Sequence, residues 1–155
     1  MSIRSNIFIL SGPVQSGKTT SLIQWIQGQR EVFGILTPII EGKRCFMDVN
    51  TKEIFLMEAT EDDREIIETG RYKFSKSAFD RADKILSIAC KQPEGWLILD
   101  EIGPLELKDK GFFTRLKTLL ENETNNLNII IVIRESLKEK VISKFGLRTY
   151  TNFTT

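Results

Sequence analysis

The chain has 155 residues, 41% of them hydrophobic and 28% charged, with a formal net charge of +1. This composition suits one soluble globular domain over residues 1–155, and it gives no general drive toward nucleic acid or an anionic membrane surface. Histidine is absent, which excludes His-activated nucleophiles, His proton shuttles and His metal sites.

Two cysteines, Cys45 and Cys90, lie far apart and suggest neither a disulfide framework nor a zinc site. The start, Met1-Ser2-Ile3-Arg4, lacks the layout of a signal peptide, and no apolar run reaches membrane-spanning length. The cytoplasm is therefore the expected compartment.

In chain order, Ile7-Phe8-Ile9-Leu10 reads as a short, fully buried strand. Residues 18–29 follow, with Leu22, Ile23 and Ile26 at helical spacing. Between them, Gly12-Pro13-Val14-Gln15-Ser16-Gly17-Lys18-Thr19 fits G-x-x-x-x-G-K-[ST], the Walker A phosphate loop. Strand, glycine-rich turn and helix start together leave backbone N–H groups pointing into one concavity, reinforced by the helix dipole. Those eight residues and Thr20 are the expected phosphate-binding set, and a nucleoside triphosphate is its natural occupant.

Val32-Phe33-Gly34-Ile35-Leu36 predicts a second strand that Thr37-Pro38 ends. After a turn at Glu41-Gly42-Lys43, two β-prone runs over residues 44–49 and 53–57 predict an antiparallel hairpin. Residues 60–70 are acidic and polar, a surface loop or a short helix. Ala78, Phe79, Ala82, Ile85, Leu86 and Ala89 predict an amphipathic helix capped by Ser75 or Ser77.

Trp96-Leu97-Ile98-Leu99 has the continuous apolar character of a central parallel strand. Phe112, Phe113, Leu116, Leu119 and Leu120 mark a further helix, and residues 129–133 a second buried strand ending at Arg134. Ser136 is the expected cap of a helix carrying Leu137, Val141, Ile142 and Phe145, with Gly146 as its stop. A weak pattern over residues 147–153 suggests a last strand. Strands alternating with helices imply a parallel sheet between helical layers, an α/β architecture.

The second motif is four apolar residues followed by Asp100, a Walker B pattern. Its carboxylate is expected to hold Mg²⁺ together with the hydroxyl of Thr19. Glu101 beside it is expected to orient the attacking water, since a strand end lets both acids face one site. With Lys18 this suffices for hydrolysis, because phosphoryl transfer is largely positioning and charge stabilisation. Arg134 ends the next strand on the same sheet edge, and either reaches the γ-phosphate or pairs with Glu135 or Glu139. Glu106 lies near the site in sequence with no role evident from its position.

Leu99-Asp100-Glu101-Ile102-Gly103-Pro104-Leu105-Glu106 resembles the D-E-I-G-x-x-E signature of the small nucleoside-triphosphatases of thermophilic bacteria and archaea and their human cancer-related counterpart. The early phosphate loop, the strand end at residues 34–37 and the inserted hairpin at residues 44–57 agree with that family. The resemblance implies a three-layer α/β/α P-loop fold with a mainly parallel, RecA-like sheet. It also implies Mg²⁺-dependent conversion of NTP to NDP and phosphate, with weak discrimination among bases. By position it assigns phosphate and metal to Lys18 and Thr19, metal support to Asp100, water activation to Glu101, and a basic residue after a strand to Arg134.

The chain departs from the family near Ile39, where a glutamate is usual, and at Cys45-Phe46, where a glycine precedes the phenylalanine. Gln15-Ser16 replaces a smaller, glycine-rich loop centre, whereas Arg44 matches. Two other functions fit the phosphate loop: a P-loop kinase or transferase acting on a small molecule, or a nucleotide-binding switch or accessory protein. The former needs an acceptor pocket, and no arginine-rich lid is evident in the sequence. No motif identifies a protein partner.

Overall fold

The computed structural model describes residues 6–13, 16–122 and 124–155. Strand β1 (Ile7–Gly12) leads to helix α1 (Lys18–Ile26), and β2 (Val32–Leu36) follows. Three short strands come next: β3 (Ile39–Ile40), β4 (Lys43–Asp48) and β5 (Ile54–Leu56). A ribbon of β6 (Ile66–Thr69) and β7 (Tyr72–Ser75) runs into α2 (Lys76–Ala89). The remainder is β8 (Glu94–Ile102), α3 (Pro104–Leu107), α4 (Phe113–Glu121), β9 (Asn126–Arg134), a 3₁₀ turn (Glu135–Leu137), α5 (Lys138–Phe145) and β10 (Thr151–Asn152).

Among the described residues one sheet runs in the order β10-β1-β9-β8-β2-β4-β3, with β5 also paired to β4. The first five of these strands are mutually parallel, and the pairings of β4 with β2, β3 and β5 are antiparallel. Strand β9 thus separates the strand that feeds the phosphate loop from the strand that carries Asp100. This is the RecA-like arrangement, and all of these parallel strands end on one edge.

The alternation of each central strand explains the three layers. Ile7, Ile9, Leu97, Leu99, Ile129, Ile131 and Ile133 face a core built with α2, α4 and α5. Ile98, Ile130 and Val132 face the opposite core, where α1 contributes Leu22 and Ile26. Period-two side chains buried on both faces are what a parallel sheet between helices requires. One short helix covers little area, and aromatic side chains extend its layer. Trp25 packs on Trp96 at 5.1 Å and on Phe153 at 5.1 Å, and Phe8 lies 5.2 Å from Trp96.

Two local expectations change. Residues 60–70 are not wholly loop, since Ile66–Thr69 pairs with Tyr72–Ser75 as an antiparallel ribbon. Its alternation is weak, since Ile66 is exposed while the adjacent Phe74 and Ser75 are both buried. Ser75 is the α2 cap, its Oγ accepting from the Ala78 N–H at 3.1 Å. Ser136 does not cap α5: it sits in the 3₁₀ turn, and Leu137 occupies the cap position without a side-chain bond. Gly146 does end α5, in a left-handed conformation. No helix among the described residues is long and apolar enough to cross a membrane.

Candidate active site

The loop between β1 and α1 turns sharply. Gly17, at the N-cap of α1, has φ 84°, a value that strains any residue with a Cβ. Among the described residues no side chain caps this helix, and its first turn holds no acidic residue. Its leading N–H groups and dipole are therefore available to an anion without competition from an acidic side chain of the first turn. The Lys18 ammonium lies across the loop and donates to the Gly12 carbonyl at 3.1 Å and the Pro13 carbonyl at 2.8 Å. Val14 and Gln15 lie outside the described residues.

Asp100 is 2% exposed. Its Oδ2 accepts from the Thr19 hydroxyl at 2.7 Å and from the Thr37 N–H at 3.0 Å. Burial pushes this carboxyl above the ordinary aspartate range, and the two hydrogen bonds pull the other way. The register of β8 against β9 then shifts: Asp100 pairs with Val132 and Ile102 with Ile133, leaving Glu101 as the extra residue of a β-bulge. A regular strand would turn Glu101 away from the face of its neighbour, and the bulge re-aims it.

Glu101 and Arg134 meet at the sheet edge, with Oε1 and Nη2 3.6 Å apart. Arg134 therefore pairs with Glu101 and not with Glu135 or Glu139. The Arg134 Nε is buried without a hydrogen-bond partner among the described residues. A cavity of about 360 Å³ joins these parts, with Ser16, Gly17, Lys18, Thr19 and Thr20 on one side and Thr37, Glu101 and Arg134 on the other. Asp100 sits behind Thr19, and the Gly12 and Pro13 carbonyls sit behind Lys18.

Thr37 contributes chiefly through its backbone N–H, which no side-chain pattern in the sequence announces. Its place one residue beyond β2, on the edge where the parallel strands end, is the only pointer. Arg44 on β4 also reaches the cavity. Glu106 does not. It is 3% exposed, its Oε1 accepting from the Gly103 N–H at 2.8 Å and its Oε2 from the Phe112 N–H at 2.9 Å. It clamps the segment that follows Asp100-Glu101. Burial pushes its carboxyl up to about 7. Gly111 makes room for it, because a Cβ there would lie 2.1 Å from Oε2.

The Thr19 hydroxyl and the Asp100 carboxylate are hard oxygen donors one hydrogen bond apart. Among the described residues no three Asp, Glu, Cys or His side chains cluster to hold a metal by themselves. The pair fits Mg²⁺, which takes oxygen ligands, tolerates few protein donors and completes its shell with water and phosphate oxygens. A cation there would also offset the cost of ionising a buried Asp100.

The model of a protein family described as NTPase matches residues 7–154. No curated protein matches the chain. Solved structures of similar fold include THEP1 from the hyperthermophile Aquifex aeolicus, at 18% identity and a TM-score of 0.73, covering 95% of this chain and 88% of that one. A human cancer-related nucleoside triphosphatase aligns at 20% identity and a TM-score of 0.63, covering 97% and 89%. At such identities these neighbours speak for the fold.

Proposed function

Because the chain belongs to the NTPase family, we propose that it is a Mg²⁺-dependent nucleoside-triphosphatase, cleaving NTP to NDP and phosphate with little discrimination among bases. The observation that carries this proposal is the separation of two adjacent acids by the β8 bulge. Asp100 is buried against Thr19, while Glu101 faces the cavity beside Arg134. A nucleotide switch needs the first acid and has little use for the second.

Each residue then has one task. The backbone N–H groups at the start of α1, with Ser16, Gly17 and Thr20 at the cavity wall, hold the phosphates. Lys18 exchanges the Gly12 and Pro13 carbonyls for β- and γ-phosphate oxygens. Thr19 and Asp100 hold Mg²⁺, which when bound supplies charge neutralisation on those oxygens. Glu101 orients a water toward the γ-phosphorus and takes its proton as the new O–P bond forms and the bond to the β–γ bridging oxygen breaks, releasing NDP. Arg134, whose buried Nε has no partner among the described residues, stabilises the charge that spreads over the transferring group. One domain over residues 1–155, working in the cytoplasm on free nucleoside triphosphates, is part of this proposal.

The test is release of inorganic phosphate from ATP, GTP, CTP and UTP with Mg²⁺ and no added acceptor. Turnover of all four at comparable rates is expected. No release above background would remove hydrolysis, and turnover of one base alone would remove the broad specificity.

A further inference from the structure

Glu101 and Arg134 are a shared wall. On their other side opens a second cavity of about 320 Å³, which also borders Thr37 and Arg44. Its remaining surfaces differ in chemistry from those of the phosphate loop. The floor is aromatic: Phe79 packs on Phe46 at 5.1 Å and on Phe112 at 5.3 Å. One side is the ribbon, where Tyr72 and Phe74 stack with ring centres 5.7 Å apart and planes 7° from parallel.

The rim is cationic. Arg44 and Arg71 both lie over the Tyr72 ring, at 4.8 and 5.3 Å, and exposed Lys108 also borders the cavity. Two carboxylates border the space, and both are engaged. Glu101 pairs with Arg134, and Glu106 spends both oxygens on backbone N–H groups. An aromatic hollow with an excess of cations at its mouth is complementary to a flat ring bearing negative charge.

A nucleobase is poorly placed to fill it. The phosphate loop fixes polarity, with Lys18 and the Thr19–Asp100 pair gripping the β- and γ-phosphates. A γ-phosphate so held would lie toward Glu101 and Arg134, and the nucleoside would leave in the other direction, past Thr20. The aromatic cavity, on the far side of Glu101 and Arg134, would then lie beyond the γ-phosphate.

We propose that this cavity is a second ligand site, built for a small aromatic monoanion that sits beside the γ-phosphoryl group while the nucleotide occupies its own cavity. The site rests on the nucleotide-binding polarity proposed above, but its test does not read hydrolysis.

The experiment titrates the intact protein with 1-anilinonaphthalene-8-sulfonate and with the uncharged N-phenyl-1-naphthylamine, following probe fluorescence. One-to-one binding is expected, at least about tenfold tighter for the sulfonate than for its neutral counterpart. Arg71 and Lys108 are exposed and make no backbone-supporting bond from their side chains, so the double variant R71E/K108E is expected to fold. It should weaken the sulfonate by about tenfold or more and leave the neutral probe unchanged. With a non-hydrolysable triphosphate present, sulfonate binding should persist, its weakening levelling off once the nucleotide saturates. Failure of both probes to bind, equal affinity for the two, or indifference to R71E/K108E would overturn the proposal. So would an apparent dissociation constant that climbs without limit as triphosphate is added, since the nucleotide would then occupy this cavity itself. Phosphate release, measured separately, reports on the hydrolase assignment whatever the probes do.

Discussion

Glu106 should make the stability of this protein depend on pH in an unusual direction. The residue is 3% exposed, and its carboxyl is raised from 4.5 to about 7 by burial, against the pull of N–H groups from Gly103 and Phe112. The nearby Glu101 charge adds to the rise. The folded state therefore binds this proton more tightly than the unfolded state. The favourable contribution is complete below about 4.5 and is lost as pH climbs through about 7, and that interval corresponds to on the order of 3 kcal/mol. Urea unfolding of wild type and Glu106→Gln at pH 5, 6, 7 and 8 isolates the effect, because titrating groups that do not interact with Glu106 act equally in both. The variant should be weaker at pH 5, since its amide group faces one of two N–H donors, at a cost of about 1–3 kcal/mol. By pH 8 wild type should have lost most of that advantage. Parallel stability curves across the range would refute the reasoning and mean that Glu106 titrates as an exposed acid does.

The proposed chemistry makes sharper demands on single residues. Glu101→Gln should retain nucleotide binding, measured by titration, and lower phosphate release by at least about a hundredfold; unchanged turnover would show that another group orients the water. Thr19→Ala removes one metal donor and the 2.7 Å bond to Asp100. It should raise the Mg²⁺ concentration for half-maximal turnover by about tenfold or more, and an unchanged requirement would place the metal elsewhere. Lys18→Ala should weaken triphosphate binding itself, and wild-type affinity in that variant would contradict the phosphate-loop assignment.

What the sequence revealed follows from where information is local. β1, the loop and α1 were legible because a buried apolar run, a fixed glycine spacing and a helical period adjoin one another. β8 and β9 were legible because a strand covered on both faces must be apolar throughout, and Asp100 stands out where such a run stops. The bulge at Glu101 was not, since it is a property of two strands in register and neither strand encodes it alone. Thr37 acts through an N–H that every residue but proline has. Glu106 was visible only as part of a signature, because a carboxylate that satisfies backbone donors looks like a surface acid until its burial is known. The aromatic cavity was equally hidden. Phe46, Phe79 and Phe112 each fit an ordinary core pattern in their own element, and only their convergence leaves a space between them.

The position of β9 has a consequence for how the chain acquires its shape. β1 pairs only with β9 and β10 among the described strands, and Ile7 aligns with Ile129. β1 thus precedes the other described strands in the chain yet is among the last to find its neighbours, its apolar side chains unpaired until β9 and β10 have been made. Pairings so distant in sequence close large loops before they are rewarded, which slows folding and lengthens exposure to aggregation. An N-terminal fragment ending at α4 carries the whole phosphate loop yet lacks both strands that hold β1 in place. Nucleotide should therefore do little to protect such a fragment from proteolysis, while it protects the finished chain.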